Sequence, residues 1–544
     1  MKPVLRSLAL IPLIASLTYA ADAGHGDGGA APSGPDKNEA DFLKSLKVPE
    51  GMQPSVWAHG QQILNAIAID IDEKGRVFSS ETFRWRMGGV IDVRGFMFLY
   101  KDDLQVKTVA DRAVMIEKWK DKFPKDFFTK ESERIRVLED TDGDGKADKI
   151  SVFADGFRDA VDGPAAGILV QNNRVYWTNI PKIWGFNFKD SELKADTREV
   201  LSDGWGPRFS ISGHDLHGLA MGPDGRIYVS LGDRGFDVKT KEGVTLSNPI
   251  SGGVFRFDPD GANLEQVYLN LRNPQELAFN ADGDLFTVDN NADIGDAARV
   301  VYLMEGGSSA WTHGWQLLGN DGFSKAAGLD GRQPNPWLEE GLWKSPFPEQ
   351  PAWVLPAVGH ITSGPSGLAF YPGVGFGDKL KDTFLVCDYR AGTDSGVWSF
   401  KLNPKGAGFE LPDSQKEKFC WGLPPTDVVF GYDGRAYIAD YIGGWELNDH
   451  GRVVTVSDPS KRDSADVKDL KALMAQGFAQ RSPAELGKLL SYADMRVRQH
   501  AQFELVKRGT EGQKVLSEAA AKGASTFARL HGIWGLWQLA RKDA

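Results

Sequence analysis

One unit recurs along this chain, and it constrains the fold more than any other feature. NAIAIDIDEKGRVFSSE from Asn65, GPAAGILVQNNRVYWTN from Gly163, HGLAMGPDGRIYVSLGD from His217, PQELAFNADGDLFTVDN from Pro274, PSGLAFYPGVGFGDKLKDTFLVCD from Pro365 and PTDVVFGYDGRAYIAD from Pro425 share one pattern. Each runs from a small or polar residue through an apolar alternating strand and a turn, usually Asp-Gly or Lys-Gly, into a second strand with a polar end. Such a meander cannot cover both of its faces alone. Copies packed side by side around an axis bury them and leave few exposed edges. Six copies predict a mainly β chain built as a six-bladed β-propeller. A sandwich is the rival for many short strands, but it gives no reason for repeated units with the same ending.

The copies are unevenly spaced, so insertions lie between blades. The longest, from about Phe83 to Glu133, carries the charged and aromatic piece MIEKWKDKFPKDFFTKESERI, which suits a cap over one end. After about Val456, Ala, Leu, Lys and Glu replace Gly and β-branched residues. Apolar residues at three-and-four spacing in SPAELGKLLSYADMRVRQHAQFELVKRG and STFARLHGIWGLWQLARK predict a short helical, HEAT-like C-terminal domain over 457–544. At the other end, Lys2 and Arg6 precede the apolar LALIPLIASL, and Thr18 and Ala20 stand where a signal peptidase prefers small residues. The expectation is a signal peptide over 1–20, a flexible Gly-, Ala- and Pro-rich leader over 21–44 and the propeller over 45–456. Export to the periplasm or medium follows. No stretch is long enough to span a bilayer.

The formal net charge of -11 and the lack of a basic stripe argue against a nucleic-acid partner. Two cysteines, Cys387 and Cys420, exclude a disulfide scaffold and leave open one bridge or two buried thiols. Without CxxCH, the chain holds no covalent c-type haem.

DTDGDGKAD places Asp140, Asp142, Asp144 and Asp148 at positions 1, 3, 5 and 9 of a Gly-containing loop, with the carbonyl of Lys146 at 7. That spacing wraps oxygen ligands around Ca²⁺. Neither the Glu at position 12 nor the following helix of an EF-hand is present, so the expectation is a structural calcium loop between strands. In VDNNADIGDAAR, Asp289, Asn291 and Asp293 repeat the 1, 3, 5 spacing and Asp296 can pair with Arg299. Calcium or cofactor contact through Asp289 and Asn290 stands here beside a hydrogen-bonded turn. The strand ends supply Glu81 and Arg84, Asn179, Asp233 and Arg234, Asp289 and Asn290, Asp388 and Arg390, and Asp440, all at one mouth of the channel. Such a ring suits a polyol or an anionic cofactor, or bonds to itself. His214 and His217 are three residues apart, hence on opposite faces of an extended segment. His313 and His360 also lie near repeat boundaries.

HDLHGLAMGPDGRIYVSLGDRG, GGVFRFDPDGANLEQVYLNLRNPQELAFNADGDLFTVDN and GRAYIADYIGGW resemble the soluble quinoprotein glucose/sorbosone dehydrogenase superfamily of six-bladed propellers. VDNNADIGDAARVVYLMEGGSSAWTHGWQ, GPSGLAFYPG and DMRVRQHAQFELVKRG are similar more closely to a planctomycete and verrucomicrobial family named for a membrane-bound dehydrogenase, in which a propeller is joined to HEAT-like helices. The resemblance implies that His214 is the base that takes a sugar hydroxyl proton while hydride passes to pyrroloquinoline quinone (PQQ). It also implies that Arg272 and Asn273 contact the quinone and that Arg390 lies near the place of a cofactor-binding lysine. The stretch that corresponds to the carboxylate-clamping arginines, LPPTDV, contains none.

The resulting expectation is an exported PQQ- and calcium-dependent oxidoreductase for a small sugar or alcohol. His214 is the base, held by Asp233 or Asp215, and electrons leave to a separate cytochrome c or other acceptor. The rivals are a calcium-dependent hydrolase using Glu81, Asn179, Asn290 and Asp440, and a carbohydrate-binding or scaffold propeller without cofactor.

Overall fold

The computed structural model describes residues 39–543 apart from Met87, Gly89, Ile294, Gly295, Asn320 and Asp449. The expected signal peptide and most of the expected leader lie outside the described residues. Six sheets surround an axis, each built on four antiparallel strands, and the third gains a short fifth strand that pairs in parallel. Their innermost strands are Ala66–Ile71, Ala165–Gln171, Leu216–Met221, Pro274–Phe279, Pro365–Phe370 and Pro425–Phe430, each the first half of one repeat. Each packs against the innermost strands of the two neighbouring blades, which closes the ring. The second strands are Val77–Glu81, Arg174–Asn179, Ile227–Leu231, Leu285–Asp289, Thr383–Asp388 and Arg435–Asp440. Blades are numbered 1 to 6 in this order. The upper end of the ring is where second strands finish, and the lower end carries the tight turns.

Those turns work as their sequences predict. Asp72, Asp224 and Asp433 accept backbone N–H groups two to four residues on, and the same carboxylates pair with Arg76, Arg226 and Arg435 at the start of the second strand. Gly225 and Gly283 sit at φ 74° and 90°, where side chains are strained. Every innermost strand carries a bulge near its start, between Leu216 and Leu219 in blade 3 for example.

Blade 6 is completed from the other end of the chain. Gln53–Gly60 pairs antiparallel with Gly451–Ser457, so the first strand is the outermost strand of the last blade. A helix, Glu39–Ser45, begins inside the stretch assigned to the leader. Phe42 and Leu43 pack on the core shared by blades 5 and 6, and the Arg452 guanidinium lies 3.3 Å from the Phe42 ring centroid. The amphipathic pair thus gives these residues something to bury, contrary to the expected flexible leader. Cys387 and Cys420 are buried free thiols on strands either side of Gly396–Lys401, both opposite Val397. Two strand spacings, about 9.5 Å, exceed the reach of a disulfide.

Six helices, from Pro459–Arg462 to Thr526–Asp543, follow the last strand. They dock on the lower end. Gln499 donates to the carbonyls of Met221 and Gly222, Gln502 to that of Pro223, and Arg496 to that of Phe430. Trp534 fills the space that a Cβ on Gly283 would need. Between these helices and the innermost strands lies a cavity of about 250 Å³, lined mainly by aliphatic side chains and by Asp70, Glu276 and Asp427. Burial raises Asp70 and Asp427 to about 7, against hydrogen bonds from Val170 and Ile71 and from Ile69 and Val428. Burial and the charges of Asp427 and Asp70 raise Glu276 well above its ordinary value. No described helix is long and apolar enough to cross a membrane.

Candidate functional site

The upper-end ring is mostly spent on holding the blades together. In blade 4, Asp289 accepts the backbone N–H groups of Arg272 and Asn273 and pairs with Arg299. In blade 5, Asp388 accepts from Ser363 and Gly364 and pairs with Arg390 at 2.7 Å. Glu81 accepts from Leu64 and pairs with Arg136 at 3.0 Å, and Asp440 pairs with Arg452 at 2.7 Å. Each residue faces the first residue of its innermost strand across the ladder, and in Glu81, Asp289 and Asp388 the acid latches the chain entering the blade, whereas Asp440 accepts from Ile442 on its own strand's exit. Asn179 also latches the entering chain, by donating to the Gly163 carbonyl. This geometry removes Asp289 from direct cofactor contact, because both of its oxygens are engaged. It makes Asp289 the residue that positions Arg272 and Asn273. Arg299 pairs with Asp289 rather than Asp296, which accepts from Ala292. Asn290 Oδ1 accepts from Asn291, and Arg84 is buried among the carbonyls of Phe128, Glu131, Asp159 and Asp162. Of the four groups that a calcium-dependent hydrolase would use, Glu81 and Asp440 are thus paired with arginines and Asn290 Oδ1 accepts from Asn291, while Asn179 Oδ1 has no partner among the described residues.

Blade 3 breaks the pattern. Leu231 occupies the latch position opposite Leu216, and the carboxylate, Asp233, comes two residues later. No arginine pairs with it. His214 Nδ1 donates to Asp233 Oδ1 at 2.7 Å, and the Trp311 indole donates to Oδ2 at 2.8 Å. His214 and Asp233 are 3% and 0% exposed. Burial alone would raise the Asp233 carboxyl, but the charges and hydrogen bonds of His214 and His313 hold it well below the usual carboxylate range. With Nδ1–H committed to Asp233, Nε2 is left with its lone pair and makes no hydrogen bond among the described residues.

His214 stands two residues before its innermost strand, as Arg272 does in blade 4. The Asp233 N–H donates to the Arg272 carbonyl, which joins the two places directly. Arg272 is held by Gln316 at 3.1 Å and Asp293 at 2.7 Å, while its Nη1 has no partner among the described residues. Asn273 Oδ1, Asn179 Oδ1 and Arg234 Nη2 are likewise buried without partners. Arg234 is otherwise paired with Asp215, so Asp233 alone holds His214. Arg390, half-exposed on Asp388, contacts none of this group.

His217 is buried too, but differently used. Its Nε2 lies 2.9 Å from the Gly213 carbonyl and 3.0 Å from the Asp215 nitrogen, and burial pushes the imidazole below its ordinary pKa. The extended segment invoked to place the two histidines on opposite faces is absent. Gly213 turns at φ 88°, and the bulge interrupts alternation at His217. Their separation comes from the turn and the bulge rather than from strand parity.

Sequence reasoning missed Ser210, Trp311 and Gln316. After Arg299–Tyr302 the chain leaves blade 4, pairs Gly307–Ser308 in parallel with the outer strand of blade 3, and climbs to bring Trp311, His313 and Gln316 over the dyad. The density of aromatic and polar residues in WTHGWQ was the available signal. The insertion after Phe83 reaches the same end, where its helix Val109–Trp119 shares a core with Phe209, Ile211, Leu317 and Phe323.

The acidic loop joins Glu133–Glu139 to Lys149–Phe157 in blade 1. Carboxylate oxygens of Asp140, Asp142 and Asp148 come within 4.8 Å of one another. Asp144 is not in that set, and its carboxylate accepts the Lys146 N–H. Lys146 Nζ lies on Glu39. Among the described residues this is the only group of three or more such side chains drawn so close.

No curated protein matches the chain. Solved structures similar to it include an oxidoreductase described as a glucose dehydrogenase from Thermus thermophilus, at 16% identity and a TM-score of 0.44 over 74% of this chain and 99% of that one. The PQQ domain of pyranose dehydrogenase from Coprinopsis cinerea is similar at 11% identity and a TM-score of 0.44, over 76% and 97%. PQQ-bound aldose sugar dehydrogenase from Streptomyces coelicolor is similar at 12% and 0.42, over 76% and 99%. The model of a domain of unknown function, DUF7133, matches residues 38–444. That match covers most of the propeller, and the chain belongs to the DUF7133 family.

Proposed function

We propose that this chain is an exported oxidoreductase that converts a hydroxyl of a small sugar or alcohol to a carbonyl with a PQQ-type quinone. The observation that carries the reading is the His214–Asp233 dyad in the one blade whose acid meets a histidine. His214 Nε2 takes the hydroxyl proton, and Asp233, fixed by Trp311, stabilises the imidazolium that results. A quinone, when bound, would accept the hydride from the carbinol carbon. Arg272 and Asn273 would hold it, and the orphaned Arg272 Nη1 and Asn273 Oδ1 fit a polar ligand whose oxygens and N–H groups need partners. Asp289 and Asp293 keep the pair in place from behind. A separate cytochrome c or other acceptor would carry the electrons away.

PQQ titration followed by tryptophan fluorescence, with dye-linked oxidation of a sugar and alcohol panel, tests the reading. Wild type should bind and turn over, and Arg272→Ala should bind PQQ more weakly by a factor of at least ten, about 1.4 kcal/mol. A protein that neither binds PQQ nor reduces dye would instead be a carbohydrate-binding propeller.

We also propose that Asp140, Asp142 and Asp148 hold one structural Ca²⁺, with Asp144 and the Lys146 carbonyl shaping the loop. Three converging carboxylates repel unless a cation lies between them. At hundredfold excess over the dissociation constant, calcium should stabilise the fold by about 2.7 kcal/mol. Melts with and without chelator check this. Superimposable curves for wild type and an Asp142→Ala, Asp148→Ala double variant would dismiss the site.

A further inference from the structure

Asp233 Oδ1 faces two imidazoles. His214 Nδ1 is 2.7 Å away and His313 Nδ1 3.6 Å, while Oδ2 is taken by Trp311. His313 is 1% exposed, its Nδ1 lies 3.1 Å from Ser210 Oγ, and its Nε2 is buried without a partner. Nothing in the proposed reaction uses His313. It is carried there by an insertion from the next blade, which makes its position beside the dyad a separate structural feature.

We propose that His313 is a second proton-handling residue, which competes with His214 for Asp233 and thereby gates the base. One carboxylate can neutralise one imidazolium. The other charges facing the pair are already matched. Asp103 accepts the N–H groups of Phe209 and Ser210, Asp215 is paired with Arg234, and Asp293 with Arg272. Arg208 donates to the carbonyls of Val106 and Leu104 and adds positive charge near Asp233. A proton on His313 therefore draws on Asp233 and leaves His214 without its counter-charge. With His313 neutral, Ser210 Oγ can hydrogen-bond Nδ1, and Asp233 returns to His214. His313 is thus a positioning residue for the base, acting through the shared carboxylate.

The competition is a property of three side chains. Its effect on turnover rests on the reaction proposed above, so two measurements are needed. The first is NMR of the full-length protein with isotope-labelled histidine rings, titrated between acid and neutral pH. In wild type the His214 ring signals should shift in two stages, as expected for coupled sites. In His313→Gln they should shift in one. A single stage with the same midpoint in both proteins overturns the proposal, and the wild-type curve decides by itself if the variant does not fold. The second is the acid limb of dye-linked turnover, which should show a shoulder in wild type that His313→Gln loses. Coupled NMR curves in a protein without activity at any pH would leave the competition standing and sink the oxidoreductase reading. An acid limb of the same shape in both active proteins would overturn the gating role.

Discussion

Turnover of His214→Ala should fall by about 10² to 10⁴ with the fold intact, the loss typical of a general base. The dyad is buried, but the imidazole's inner nitrogen is its only hydrogen-bonded atom, so its removal leaves one Asp233 oxygen to be satisfied by water or His313. Asp233→Asn should show a loss of the same order, because the amide cannot balance the imidazolium. His217→Ala should behave in the opposite way. Its ring nitrogen serves the Gly213–Asp215 turn, so the variant should keep most of its turnover and lose about 1 to 3 kcal/mol of stability through stranded backbone groups. Parallel measurement of dye-linked rates and urea melts separates the two. A dead His217→Ala beside an active His214→Ala would reverse the assignment.

The second large effect concerns the cavity between the innermost strands and the C-terminal helices. Asp70 and Asp427 are raised to about 7 in the folded protein, and Glu276 is raised well above its ordinary value by burial and by their charges. A carboxyl raised on folding binds its proton more tightly in the native state than in the unfolded chain. Its contribution is fully present below about pH 4, is lost progressively as pH climbs, and is gone above the folded pKa. Glu276→Gln keeps an acceptor for the Leu277 N–H and cannot ionise. It should match wild type near pH 4 and become the more stable of the two as rising pH takes the proton from Glu276 in wild type. Denaturant melts across that range measure the difference. Equal pH dependence in both proteins would mean that the channel acids are not protonated in the fold.

The strands were legible because the physics that makes them is local. Alternation, an Asp-Gly turn and a polar ending are written within each repeat, and each predicted copy is the inner half of a blade. The dyad was legible for a different reason. His214, three residues ahead of the third repeat, was singled out by the family resemblance, which left Asp215 and Asp233 both open as its partner. Trp311, His313 and Gln316 reach the site through an insertion whose path depends on a two-residue parallel pairing to another blade, and no local spacing encodes that. The polar ring misled for a related reason. Sequence shows that Asp289, Asp388 and Asp440 end their strands, but only the register reveals that Arg299, Arg390 and Arg452 meet them. In the acidic loop, spacing named four carboxylates, and the fold draws Asp140, Asp142 and Asp148 together while Asp144 stands apart.

The pairing of Gln53–Gly60 with Gly451–Ser457 sets the order of assembly. The first described strand is the last to find its partner, since that partner is made only after five blades have emerged. Until then the ring has an open edge on blade 6 and no closure against blade 1, and the helices that seal its underside have yet to be synthesised. Blades can form one by one, but the native circle is a post-translational event of high contact order. The fold cannot lock before its first and last described strands have met.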